Sequence, residues 1–127
     1  MVRLQMMQGD YSVCRIADAS QVDFAQELVF LCKTEEELSL VCKANMVPLN
    51  AQAVEHGWKM LRIAGTLDFA LVGVLAPILQ LLAKNAMPVF VVSTYNTDYI
   101  LLKEAVYEKA VNVLRAGGYE VTGHSKQ

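Results

Sequence analysis

Histidine and cysteine are scarce in this 127-residue chain, with two and three copies, and neither forms a pattern that metal or redox chemistry needs. Cys14, Cys32 and Cys42 are odd in number, lack CxxC spacing and have no histidine nearby, so they read as small hydrophobes buried on strands. His56 falls in a linker and His124 in a polar tail, and neither reads as catalytic. Charge of one sign is also lacking: 11 basic residues against 13 acidic ones leave a net charge of −2. Such a balance gives no electrostatic footprint for nucleic acid. Long apolar runs are missing as well. The longest, from about Phe69 to Ala83, is interrupted by Gly73 and Pro77 and bounded by Asp68 and Lys84, short of the roughly 20 residues that a membrane span needs. Met1 to Gly9 has one arginine, no continuous apolar region and no small-residue cleavage site, so no signal peptide is expected and the cytoplasm is the expected location. Absent too are a glycine-rich phosphate loop with a lysine, a Cys–His pair and a Ser–His–Asp set, so neither catalysis nor a cofactor is expected.

The apolar residues that are present are patterned. Trp58 to Ile63 reads as a strand closed by Ala64-Gly65-Thr66. From Leu71 the period lengthens from about two to about 3.6. Leu71, Val74, Leu75, Ile78, Leu79 and Leu82 fall on one face, and Gly73, Pro77, Gln80 and Lys84 on the other. This spacing predicts an amphipathic helix, broken by Asn85-Ala86-Met87-Pro88. Val89–Val92 and Tyr99–Leu102 are β-branched and aromatic runs on either side of the polar cluster Ser93-Thr94-Tyr95-Asn96-Thr97-Asp98; they predict a hairpin. Glu104 to Ala116 predicts a second helix, with Val106, Ala110, Val113 and Leu114 on one face and Tyr107 and Val111 beside it. Gly117-Gly118 caps it before a short last strand, Tyr119-Glu120-Val121. A βαββαβ order of this kind is the ferredoxin-like plan, an α+β fold whose two helices cover one face of a four-stranded antiparallel sheet. In that plan the strand Pro88 to Val92 lies at the sheet edge, yet it carries no charge. Open edges recruit other strands, so a partner strand is expected there, from the first lobe or from a second chain.

Residues 1–55 predict a smaller, β-rich lobe, and residues 56–127 the ferredoxin-like one. Tyr11 to Ile16, Glu27 to Cys32 and Leu38 to Cys42 read as strands, and Thr34 ahead of Glu35-Glu36-Glu37 suggests an N-cap opening a single helical turn. Asp18 to Gln26 is too short for a full first helix. Val47-Pro48-Leu49-Asn50 begins a linker that ends near Gly57. Each lobe is small, so a shared core is expected.

Gly65 to Ala76, followed by Pro88 to Leu102, resembles an ACT domain. The chain is similar to the small tandem ACT-domain proteins of the CASTOR type, related to the regulatory ACT domains of aspartate kinases. Phe30 to Cys42 and Glu55-His56-Gly57-Trp58 extend the resemblance upstream, which makes the first lobe an incomplete ACT-like one. The resemblance implies a non-catalytic regulatory or sensor module that binds a small effector, most often an amino acid, where two ACT lobes pair, and hence a homodimer. It implies one wall from Asp68, Phe69, Val72 and Gly73 and another from Val89, Ser93, Thr94, Tyr95, Thr97 and Asp98. The free N–H groups of a helix start suit an α-carboxylate, and Gly73 permits close backbone approach. Ser93 and Thr94 can donate or accept hydrogen bonds, and Asp98 can pair with an α-ammonium or a basic side chain. The same residues admit plainer roles: Asp68 as a helix N-cap, Asn96 and Asp98 as turn residues satisfying local backbone. By the resemblance, Tyr95, Asn96 and Asp98 also lie where a regulated protein partner can be contacted. A structural adaptor with a vestigial pocket is therefore the alternative reading.

Overall fold

The computed structural model describes residues 2–64 and 73–123. In chain order the strands are β1 (Arg3–Met6), β2 (Tyr11–Ile16), β3 (Phe30–Lys33), β4 (Leu38–Lys43), β5 (Ala51–Ile63), β6 (Val89–Ser93), β7 (Asp98–Lys103) and β8 (Glu120–Thr122). The helices are α1 (Leu75–Lys84) and α2 (Glu104–Ala116), and a 3-10 turn covers Ala44–Met46. Together they make a mixed α+β fold in two compact units, Gly9–Trp58 and the rest of the described chain. No helix among the described residues is long and apolar enough to cross a membrane.

The larger unit has the strand order β8-β1-β5-β7-β6, with β6 pairing only with β7 among the described strands. Without β1 this is the ferredoxin-like order expected from the sequence. Between β5 and β8, β1 runs antiparallel to β5, with Leu4 opposite Ile63, and parallel to β8, with Leu4 opposite Val121. An inserted strand between two antiparallel neighbours must run parallel to one of them. Arg3–Met6 is a strand that the sequence pattern does not predict, yet Leu4 is wholly buried. One face of this sheet meets the helices. Ile78 and Leu82 of α1 and Ala110, Val111 and Leu114 of α2 pack with Leu4, Leu61, Ile63, Ile100, Leu102 and Val121, and fully burying each leucine, isoleucine or valine among them contributes about 1.5–3 kcal/mol. The expected period of α2 is thus the observed one, with Val111 buried among the core residues.

Helix α1 starts at Leu75 with no side-chain cap, and Pro77 sits in the first turn, where a missing N–H has no intrahelical partner to lose. Gly73, expected on the polar face of this helix, lies ahead of it with φ +78°. The part of the expected helix from Phe69 to Val72 lies outside the described residues. At the end of α2 the Tyr119 N–H donates to the Leu114 carbonyl and the Gly118 N–H to that of Arg115, with Gly118 at φ +98°. These paired bonds form a Schellman close.

The smaller unit has the order β3-β4-β2-β5, every neighbour antiparallel. That is the strand order of the larger unit's hairpin and central strands, without either helix. Residues 17–29 and the 3-10 turn take their place. Val22, Val29, Met46 and Val47 pack on Cys14, Ile16, Leu40 and Cys42. Three expectations are corrected here. The stretch from Val47 to Gly57 is largely strand, because β5 runs unbroken through it with a bulge: Tyr11 faces Trp58 while Val13 faces Glu55, and Gly57 at φ +89° takes up the extra residue. Strand β3 begins at Phe30, not Glu27. Thr34–Glu37 is a hairpin turn rather than a helical one: the Thr34 N–H donates to the Glu37 carbonyl at 2.9 Å. Thr34 Oγ1 also accepts from the N–H groups of Glu36 and Glu37 at 3.2 and 3.1 Å. An N-cap makes the same bonds, so the sequence signal was real and its context was not.

Candidate functional site

The β6–β7 hairpin places the polar cluster at one end of the larger unit, with Val92 opposite Tyr99 and Ser93 opposite Asp98. Its turn is closed by threonines. The Thr94 N–H and Oγ1 both donate to the Thr97 carbonyl, at 2.8 and 3.0 Å, and the Thr97 N–H returns a bond to Thr94 Oγ1. Thr94 therefore repeats in this hairpin what Thr34 does in the other. Thr97 is buried, and its hydroxyl donates to the Ile63 carbonyl at 2.7 Å, fastening the turn to β5. It is a structural tie. At the base of the turn, the Ser93 hydroxyl donates to Asp98 Oδ1. Asp98 Oδ2 has no hydrogen-bond partner among the described residues. Tyr95 stands at the tip, 82% exposed.

Of the residues expected to bind a ligand, Ser93, Thr94, Tyr95, Thr97 and Asp98 are thus gathered on one turn. Val89 lies at the far end of β6, opposite Leu102, and packs against the helix-side core. Gly73 stands in open space: a Cβ there would meet nothing within 4 Å. Asp68, Phe69 and Val72 lie outside the described residues.

The structure also joins two groups that the sequence kept 44 residues apart. The Ser12 hydroxyl and His56 Nδ1 are hydrogen-bonded at 2.6 Å. Ser12 is 0% exposed, so its oxygen cannot reach a substrate, and the pair bridges β2 and β5 rather than acting as a nucleophile and base. No spacing rule finds such a contact, since it arises from strand pairing. No group of His, Cys, Asp and Glu able to hold a metal occurs among the described residues. The cysteines are corrected in one respect. Cys14 and Cys42 are buried, but Cys32 is exposed, because edge strand β3 turns it away from the covered face.

Comparison with known proteins gives the context of this hairpin. Residues 53–116 match the ACT domain family. No curated protein matches the chain. Among solved structures, protein Atu0741 from Agrobacterium tumefaciens is similar at 25% identity and a TM-score of 0.87, covering 99% of this chain and 96% of that one. Protein VC0802 from Vibrio cholerae, described as of unknown function and a possible transport protein, matches at 21% identity and a TM-score of 0.70, covering 91% and 88%. A putative C-terminal regulatory domain of aspartate kinase from Porphyromonas gingivalis matches at 17% identity and a TM-score of 0.57, covering 91% and 94%. The last two likenesses are of fold alone. With residues 53–116, half of its length, matched, the chain belongs to the ACT domain family.

Proposed function

We propose that this protein is a non-catalytic sensor of the tandem ACT type, which binds an amino acid at paired ACT lobes and passes its occupancy to a regulated partner. The observation that carries the reading is the ACT-family match across residues 53–116, a span that includes the turn where one oxygen of the Asp98 carboxylate accepts from Ser93 and the other has no partner among the described residues. A charged oxygen at a turn otherwise closed by its own hydrogen bonds is suited to an α-ammonium or a basic side chain. The regulatory domain of aspartate kinase among the structural neighbours is consistent with the same class. Polar amino acids, such as arginine, lysine and aspartate, are expected ahead of apolar ones.

Titration calorimetry with the twenty amino acids tests this. One of them should bind below millimolar, and Asp98→Ala should weaken it by about 1.5–3 kcal/mol, the range for a hydrogen bond to a charged group. Exposed Lys109 on α2 serves as the control, since Lys109→Ala should change nothing. Gly73→Val is a poor probe, because φ +78° would strain any β-branched residue. Absence of binding by every amino acid would leave the adaptor reading in its place.

A further inference from the structure

The two hairpin turns of the chain close in the same way. In β3–β4 the Thr34 N–H and Oγ1 both donate to the Glu37 carbonyl, and the Glu37 N–H returns a bond to Thr34 Oγ1. In β6–β7, Thr94 and Thr97 make the same three bonds. Closure therefore uses a threonine side chain at the first position of the turn and only backbone at the fourth. Glu37 shows that the fourth side chain is not needed for it: the residue is exposed, and its carboxylate accepts from the Ser39 hydroxyl at 3.1 Å. Thr97, at the matching position, is buried, and its hydroxyl leaves the hairpin to donate to the Ile63 carbonyl at 2.7 Å. Ile63 is the last residue of β5. From there the chain continues to Asp68, Phe69, Val72 and Gly73, the other residues expected to bind a ligand. The bond thus joins the turn that carries Asp98 to the point where the opposite wall of the expected site departs.

We propose that Thr97 is a positioning residue of the effector site, which sets the placement of the Asp98 carboxylate relative to the end of β5 without touching the ligand. The inference rests on the reading of this turn as an amino-acid site and adds the residue that fixes its geometry. Direct contact is excluded by the burial of Thr97 and by the use of its hydroxyl on Ile63. Asp98 follows Thr97 in the chain and opens β7, so a turn released from β5 carries the carboxylate with it. Binding groups must be held within about 0.5 Å of their productive geometry by supporting bonds. The turn of the smaller unit is the internal control, since it folds with a glutamate where the tie would be.

The test is titration calorimetry on the full chain with each of the twenty amino acids. For the one that binds wild type, Thr97→Val, which keeps the shape and removes the donor, should weaken binding by about tenfold. Thr97→Ser, which keeps the donor, should stay within about twofold of wild type. Thr97→Cys, a weaker donor of similar size, should fall between them and takes the place of the valine variant if that one does not fold. Because Thr97 acts through Asp98, adding Thr97→Val to Asp98→Ala should weaken binding no further than Asp98→Ala alone. A tie that serves only the fold would lower the thermal unfolding midpoint of Thr97→Val and leave its affinity untouched, and that result overturns the proposal. So does an additive loss in the double variant, or a serine variant as weak as the valine one. Wild type that binds none of the twenty overturns the amino-acid reading of the site and this inference with it, whereas wild-type binding that the valine and cysteine variants share overturns this inference alone.

Discussion

Cys14 on β2 and Cys42 on β4 point to the same covered face, because Cys14 lies opposite Leu40 and Ser12 opposite Cys42. Desolvation raises both thiols. Cys42 is pushed up to about 12 by burial first, then by the neighbouring Cys14 thiol. Thiolate, the reactive form, is therefore scarce at both. A maleimide reagent should label Cys32 quickly in the native protein and Cys14 and Cys42 only after unfolding. Rapid modification of all three would contradict the buried geometry. The same shift has a pH consequence. Unfolded Cys42 would release its proton near its ordinary value of 9.0, whereas the native thiol keeps it until about 12. This contribution is fully present below pH 9 and is lost as the pH rises from 9 to 12. Urea midpoints measured at about pH 8 and about pH 10.5 should fall less in the Cys14→Ala, Cys42→Ala double variant than in the wild type. An equal fall in both proteins would remove the cysteines from the account.

The two helices end by the same device with different residues. After α1 the Met87 N–H donates to the Leu82 carbonyl and the Ala86 N–H to that of Ala83, and Ala86 takes φ +59°. After α2 the left-handed position is Gly118. A Cβ is disfavoured in that conformation, so Ala86→Gly should stabilise the protein by about 0.5–1 kcal/mol, and Gly118→Ala should destabilise it by a similar amount. Thermal unfolding of the two variants should therefore shift in opposite directions. A fall in midpoint for Ala86→Gly would show that the loss of unfolded-state order outweighs relief of the backbone. The hairpins show how far elements are legible. The β6–β7 pairing follows from β-branched runs around a polar turn, but the Thr34 turn reads as a helix start, since a threonine oxygen accepting two following N–H groups serves a helix start and a hairpin equally.

Assembly is predicted along β6, where Val89, Phe90, Val91 and Val92 carry no charge and only one side of the strand is paired among the described residues. An edge without charge, proline or bulge is poorly protected against pairing with another chain. A homodimer joined through this strand is the expected outcome of sedimentation at high micromolar concentration. Val91→Lys should shift it toward monomer, while the lysine stem can still lie along the half-buried edge with its ammonium in water. Wild-type protein that stays monomeric would remove both the dimer and the pairing on which the proposed effector site depends.

The sequence by itself determined the βαββαβ plan of the larger unit, because Ile78, Leu82, Ala110 and Leu114 repeat with the helical period and the strands between them are β-branched. It also determined that Ser93 to Asp98 would share one polar turn. Only tertiary structure decided the rest. Four residues of β1 hold too little pattern to be recognised until β5 and β8 lie on either side of them. The apparent linker became strand β5 because β2 offered it a partner, with Gly57 absorbing the mismatch in register. The roles of Thr97, tied to Ile63, and of Ser12, tied to His56, come from contacts between residues far apart in sequence. Local periodicity records which face of an element is apolar, while pairing across strands sets which polar groups are consumed by the fold and which remain free to bind.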